Sequence, residues 1–324
     1  MRKRVLVIGG TRFFGIHLVQ RLIDAGHAVT IATRGRAGDP FGDRVRRLHV
    51  DRRDPAAMAA AFADIAELDV VFDQMCYRAQ DARIATTVLH GRVGRYVMAS
   101  TIEVYDRSYG AIARPFGEDD AVLDDGTPEV DEPSYADGKR QAEAVLLATD
   151  AFPVVCVRIG HVLAGPEDFT GRLQRYVSLA RTGTALRHSV PSARTSFIGV
   201  AGITAFLAWA GDAAFTGAIN AASHAWSAVE LHARVAAALG QPARLEPVTA
   251  ATPPATLSAF DYAAPYEMHT TRARDAGHTF DPDDRWLDDA ILRHAGRSEP
   301  PAAPRSSALE APASVTAAVR PADA

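Results

Sequence analysis

The sequence predicts an α/β chain built on a doubly wound, mostly parallel sheet, with a smaller C-terminal substrate-binding lobe. Over its first half, short β-rich runs alternate with helical patterns, as in consecutive βαβ units. The first strand runs straight into a glycine-rich turn and an amphipathic helix. The composition, 48% hydrophobic and 23% charged over 324 residues, is enough to bury a large core.

Taken in order, the predicted strands are Arg4 to Ile8, Ala28 to Ala32, Arg46 to Val50, Asp69 to Asp73, Arg95 to Ala99 and Val154 to Ile159. Between them, Ile16, Val19, Leu22 and Ile23 fall at helical spacing. Pro55 to Ile65 opens with a helix-compatible proline, and Gln80 to Leu89 and Tyr135 to Leu147 read as further helices. Residues 1–160 are therefore expected to form a Rossmann-type nucleotide-binding domain, with its sheet completed by segments near 194–222. Residues 161–298 read mainly as a substrate lobe, with a helix near Ile203 to Trp209, a strand near Ala218 to Ala222 and a helix at Ser227 to Leu239. Residues 299–324 are proline-rich without apolar periodicity and are expected to be a disordered tail.

The formal net charge of -4 supplies no general attraction to nucleic acid or anionic membranes. No apolar stretch reaches the roughly 18 residues of a membrane-spanning helix. The run Val5 to Ile8 after Arg2, Lys3 and Arg4 is too short for a secretory signal. Cys76 and Cys156 are too few for a disulfide framework or a structural zinc site and are expected to be buried and reduced, in a cytoplasmic protein. No metal site is expected: His188, His224 and His269 are scattered, and the acidic pairs Asp119-Asp120 and Asp124-Asp125 read as solvated.

The turn Gly9-Gly10-Thr11-Arg12-Phe13-Phe14-Gly15 aims backbone N–H groups and a positive helix end at a pyrophosphate, so it is expected to hold a dinucleotide. At the end of the second strand, Arg34 replaces the carboxylate that would hold an adenosine 2′-hydroxyl. With Arg12 it favours NADP over NAD through attraction to a 2′-phosphate, unless both arginines are simply solvated. Asp51 is placed either at the adenine or in a plain turn. Met75 and Tyr77, after the fourth strand, line the cleft or pack beneath it. Tyr135 and Lys139, four residues apart, share one helix face. An ammonium beside a phenol lowers the phenol pKa from about 10 and suits it to acid/base work in hydride transfer. Thr101, at the C-terminal end of the fifth strand, is placed to bond the same substrate oxygen as Tyr135.

Together these motifs resemble an extended or atypical short-chain dehydrogenase/reductase of the NAD-dependent epimerase/dehydratase family, over roughly residues 4 to 293. The resemblance implies that Thr101, Tyr135 and Lys139 are the catalytic set, with Lys139 also holding the nicotinamide ribose. Arg12 stands where the family has its middle glycine, and the GGTRF wording matches an atypical branch that includes chloroplast stem-loop RNA-binding proteins and bacterial reductases. In the stretch from Arg158 to Pro166, Ile159 and His161 are implied at the cofactor. His161 also lies on the substrate side, in place of the family's usual asparagine. Ser196 to Ile203 is similar to a family segment but lacks its histidine and acids, and Gly217 to Ala221 resembles the strand that rejoins the sheet. Arg187 and Arg194 fall where extended members hold a nucleotide-sugar diphosphate, or are loop arginines. Glu103 sits where the family's dehydratases carry a proton-abstracting glutamate, but its neighbour Ile102 cannot transfer a proton, so Glu103 is a base for epimerisation or a surface acid.

The implied activity is that of an NAD(P)-dependent oxidoreductase acting on a hydroxyl/ketone pair of a nucleotide-linked sugar or related polyol. One alternative is an epimerase or dehydratase that recycles a bound cofactor; another is a non-catalytic RNA-binding or regulatory protein on the same fold. The acidic balance opposes the nucleic-acid reading. Helices around Gln80 to Leu89 and Tyr135 to Leu147 are expected to offer a homodimer contact.

Overall fold

A computed structural model describes residues 1–65, 67–124, 126–248 and 257–296. The tail expected over 299–324, and Asp125 of the acidic loop, lie outside the described residues. The central sheet is seven-stranded and parallel. Its strands are β1 (Arg4–Ile8), β2 (Ala28–Thr33), β3 (Val45–His49), β4 (Val70–Asp73), β5 (Tyr96–Ala99), β6 (Val154–Ile159) and β10 (Gly217–Ala221). They lie in the order β10-β6-β5-β4-β1-β2-β3, so the order of winding reverses between β1 and β4, the place where doubly wound sheets hold ligands at the strands' C-terminal ends.

Strand alternation explains the layering. Val5 and Val7 of β1 face one side with Val97, Val155 and Val157, where they meet α1 (Phe14–Asp24) and α6 (Val200–Ala210). Leu6 and Ile8 face the other with Val71, Met98 and Cys156. That side is covered by α2 (Pro55–Phe62), α3 (Ala79–Val88) and α4 (Tyr135–Leu147). Both cysteines are buried and free within this second layer. Strands apolar on both faces are the physical reason the runs β4 to β6 read as continuous hydrophobic segments.

Beyond His161 the chain is more regular than its sequence suggests. The strands β7 (His161–Leu163), β9 (Arg194–Gly199) and β11 (His224–Ser227) form a separate sheet in the order β11-β9-β7, so the segment at Arg194 does not join the parallel sheet. The strands β8 (Leu186–His188) and β12 (Leu245–Pro247) pair in parallel. A third apolar cluster joins α5 (Arg172–Thr182), α7 (Ala228–Ala238) and α9 (Arg285–Ala295) through Leu173, Tyr176, Leu231 and Leu287. The helix α8 (Thr271–Asp275) follows a fourth cluster that contains Tyr105, Phe116 and Tyr266. No helix of the described residues is long and apolar enough to cross a membrane.

Candidate active site

The cofactor side begins at the turn from β1 to α1. Gly9 and Gly10 adopt φ of +99° and +84°, and a Cβ on Gly10 would stand 2.8 Å from Val19 and 3.0 Å from Val7. Phe13, the N-cap of α1, also has positive φ, +50°. Such a backbone costs on the order of 1–3 kcal/mol, offset here by a buried ring that meets Phe14 and Phe169 edge-on. No acidic residue occupies the first turn of α1, so its N–H groups remain a positive end suited to a pyrophosphate. Thr11 and Gly15 flank this end, and Met75 touches the turn, 3.0 Å from the place a Gly9 Cβ would take. The exposed Arg12 guanidinium lies 5.9 Å from the Phe169 ring centre. Arg34 is exposed at the end of β2 with no hydrogen bond or ion pair to any described residue, and Gly35 turns beside it, donating to the Thr33 hydroxyl at 3.2 Å. These residues fit a dinucleotide.

Asp51 is exposed and accepts from the Arg53 N–H at 3.0 Å, the geometry of a turn aspartate. The buried side chain there is Arg52, which bonds the two Asp73 oxygens at 2.9 and 2.7 Å and the Asp81 carbonyl at 2.6 Å. Asp73 also accepts from the Tyr96 hydroxyl and the Met75 N–H. This network fixes the end of β4.

At the end of β5 the two hydroxyls have different fates. Ser100 donates to the buried Glu143 of α4. Thr101 accepts from the Glu103 N–H at 3.2 Å, capping the 3-10 helix Ile102–Ser108, and its hydroxyl acts to lower the pKa of the Tyr135 phenol. Tyr135 opens α4, whose N-cap Ser134 accepts from the Asp137 N–H at 3.1 Å. Lys139, one turn on, is buried and donates to the Ala99 carbonyl at 2.7 Å. Its ammonium lies 4.4 Å from the Tyr77 ring centre and 5.8 Å from that of Tyr135. Burial pushes the lysine down to about 8.

The Tyr135 phenol does not follow the sequence expectation. Tyr135 is 36% exposed at the rim of the site, yet the protein packed around its phenol raises the pKa above the usual tyrosine value, the Tyr77 neighbour adds to the rise, and Thr101 opposes it. Lys139 is turned toward the Ala99 carbonyl and the ring faces, so it does not lower the phenol as expected.

Glu103 faces the same pocket. Burial raises its carboxyl to about 7, repulsion from Asp106 adds to this, and donation from the Tyr266 hydroxyl at 3.4 Å opposes it. His161 is buried and shares a 3.2 Å hydrogen bond between its Nε2 and the Tyr262 hydroxyl, with Phe260 4.9 Å away between ring centres. Burial, with Arg172 nearby, holds its pKa well below the usual imidazole value, so the ring is neutral. Ile159 is buried at the end of β6 and belongs to the cluster behind the glycine turn.

Two other expectations change. Arg187 forms an ion pair with Glu246 at 3.2 Å, and Arg194 holds Glu230 through its Nε at 2.9 and 3.1 Å. Asp119 and Asp120 are not merely solvated: Asp119 binds Arg272 at 2.9 Å and Asp120 binds Arg114 at 2.6 and 2.8 Å. Sequence reading missed Arg172, Tyr262 and Tyr266 on the substrate side. Leu173, Tyr176, Val177 and Ala180 fall at helical spacing and could have revealed α5, with Arg172 in its first turn.

A family model described as the NAD dependent epimerase/dehydratase family matches residues 5–192. The chain is 30% identical over 158 residues to the chloroplast stem-loop binding protein of 41 kDa b of Arabidopsis thaliana, covering 44% of this chain and 38% of that one. It is 28% identical over 199 residues to the 2'-dehydrokanamycin reductase of Streptomyces kanamyceticus, covering 59% and 50%. The chain thus spans half or less of these two relatives. Among solved structures, a UDP-N-acetylglucosamine 4-epimerase from Methanobrevibacter ruminantium superposes with a TM-score of 0.71 at 16% identity, covering 91% of this chain and 98% of that one. The Bordetella bronchiseptica enzyme WbmG, in complex with NAD and UDP, superposes at 0.70 and 18%, covering 91% and 93%. At these identities the likeness is one of fold.

Proposed function

The chain belongs to the NAD-dependent epimerase/dehydratase family, within the short-chain dehydrogenase/reductase superfamily. From that premise we propose that it is an NADP-preferring reductase or dehydrogenase, acting on a hydroxyl/ketone pair of a nucleotide-linked sugar or related polyol. What supports this reading is Thr101 at the C-terminal end of β5, with Tyr135 and the buried Lys139 one turn apart on α4 and the ammonium 5.8 Å from the Tyr135 ring centre. When bound, the dinucleotide supplies or accepts the hydride. In the reducing direction Tyr135 gives its proton to the substrate oxygen, and Thr101 holds that oxygen. Lys139, buried one turn along the helix, would hold the nicotinamide ribose. A phenol with a raised pKa is well suited to stay protonated until the transfer. Native mass spectrometry of the purified protein, followed by loss of reduced-nicotinamide absorbance with a panel of keto-sugars, tests the assignment. A protein that binds no dinucleotide would overturn it.

The cofactor preference rests on Arg34, a cation at the end of β2 with no partner among the described residues. Arg34→Glu is expected to weaken NADPH binding about tenfold or more, the scale of a lost charge-assisted contact to phosphate, and to leave NADH no weaker than in the wild type. Fluorescence titration of both nucleotides checks this, and an unchanged ratio would assign the preference elsewhere.

Glu103 favours a second reading, epimerisation with a recycled cofactor. A pocket carboxyl with a pKa of about 7 is divided between acid and base forms at neutral pH. A carboxyl raised in this way is protonated below its pKa and becomes a base above it. An epimerase would therefore gain rate as pH rises through about 7, and Glu103→Gln would remove that limb. Proton exchange at carbon, followed in heavy water, reports the step. Absence of exchange with intact ketone reduction leaves the first reading.

A further inference from the structure

The substrate side of the pocket contains a cation built for a ligand. Arg172 opens α5, and its Nε donates to the Thr170 hydroxyl at 3.0 Å. Thr170 in turn donates to Asp168 Oδ1 twice, from its hydroxyl at 2.6 Å and its N–H at 2.8 Å. Asp168 is 4% exposed, so this relay is anchored in the interior. The guanidinium also lies 5.5 Å from the Phe260 ring centre, and Phe260 packs at a tilt against His161. With Nε used and one face against a ring, the forked edge of two terminal nitrogens remains, and no described residue bonds it.

Phe260, 5.5 Å from the guanidinium, lies 4.9 Å between ring centres from His161, which hydrogen-bonds Tyr262 at 3.2 Å, so Arg172 belongs to the same cluster of side chains. The two arginines that sequence reading placed at a diphosphate are neutralised by Glu246 and Glu230. His161 is neutral. That leaves Arg172 as the pocket's unpaired guanidinium among the described residues. A planar fork, locked by a hydrogen bond and a stacking ring, matches two oxygens of a carboxylate or a phosphoryl group.

We propose that Arg172, oriented by Asp168 and Thr170, binds an oxyanion of the substrate close to the reacting carbon. The substrate class is then an acidic sugar derivative, carrying a carboxylate or a phosphoryl group. This rests on the pocket being the substrate site of the dinucleotide enzyme described above, and the test separates the two.

The full chain, loaded with NADP+, is titrated calorimetrically with glucuronate, glucose phosphate, UDP and neutral glucose. At least one acidic probe is expected to bind about tenfold more tightly than glucose, and Arg172→Gln to remove that advantage. Arg172→Lys keeps charge without the fork and should restore only part of it. Thr170→Val should weaken the same probe and Thr170→Ser should rescue it, with NADP+ affinity unchanged in both, as a positioning role requires. The acidic probe that loses affinity identifies the group as carboxylate or phosphoryl. Acidic probes no tighter than glucose, or a loss that follows Arg187→Gln or Arg194→Gln and spares Arg172→Gln, would overturn the inference. Failure to bind NADP+ would instead remove the function on which it rests.

Discussion

Tyr135→Phe is expected to reduce turnover about a thousandfold, within the range of lost general acid catalysis, while leaving the Kd for the dinucleotide within about twofold. The substitution deletes only the hydroxyl. The ring, 6.1 Å from that of Tyr77 between centres, and the helix cap at Ser134 remain. Thr101 would still accept from the Glu103 N–H at 3.2 Å and hold the 3-10 helix. Single-turnover oxidation of the reduced cofactor measures the step apart from product release. Turnover at the wild-type rate would remove Tyr135 from the chemistry, and with it the meaning given to Thr101 and Lys139.

The largest expected loss of stability comes from the face of α4 below Tyr135 and Lys139. Glu143 is fully buried and accepts from Arg158 through Nε at 3.0 and 3.2 Å and a terminal nitrogen at 2.7 Å. Arg158 continues to the Tyr105 hydroxyl at 3.0 Å and the Glu118 carbonyl at 2.6 Å, and Tyr105 donates to Asn220 at 2.6 Å. The network therefore joins α4, β6, β10 and the loops between them. Glu143→Leu would leave a buried guanidinium uncompensated, a cost of about 3–5 kcal/mol, read from the urea midpoint. The double variant Glu143→Leu, Arg158→Met should recover a large part of the loss, because no charge is then stranded. A single variant as stable as the wild type would show that the pair is not what holds these elements. Ser100, next to Thr101, also donates to Glu143, so the single variant is expected to disturb the active site as well.

Much of the parallel sheet was legible because its causes are local. Apolar runs such as Val70–Asp73 and Val154–Ile159 must be buried on both faces, and the helices between them carry their own periodicity. The dinucleotide turn and the Tyr135–Lys139 pair were legible because each is contiguous in sequence. The positive φ of Phe13 was not, since glycine marks such conformations and phenylalanine does not. Nor was α5, hidden among glycine- and arginine-containing loops despite its apolar spacing.

By itself, then, the sequence determined the layered α/β architecture, the glycine turn and the helix face that bears the phenol and the ammonium. Tertiary structure alone decided which charges are available to a ligand. Arg187 meets a glutamate 59 residues away and Arg194 one 36 residues away, whereas the terminal nitrogens of Arg172 meet none among the described residues. It also decided that Glu103 lies buried enough to titrate at about 7. Ion pairing and desolvation depend on which distant segments come together, and no local pattern of residues encodes that.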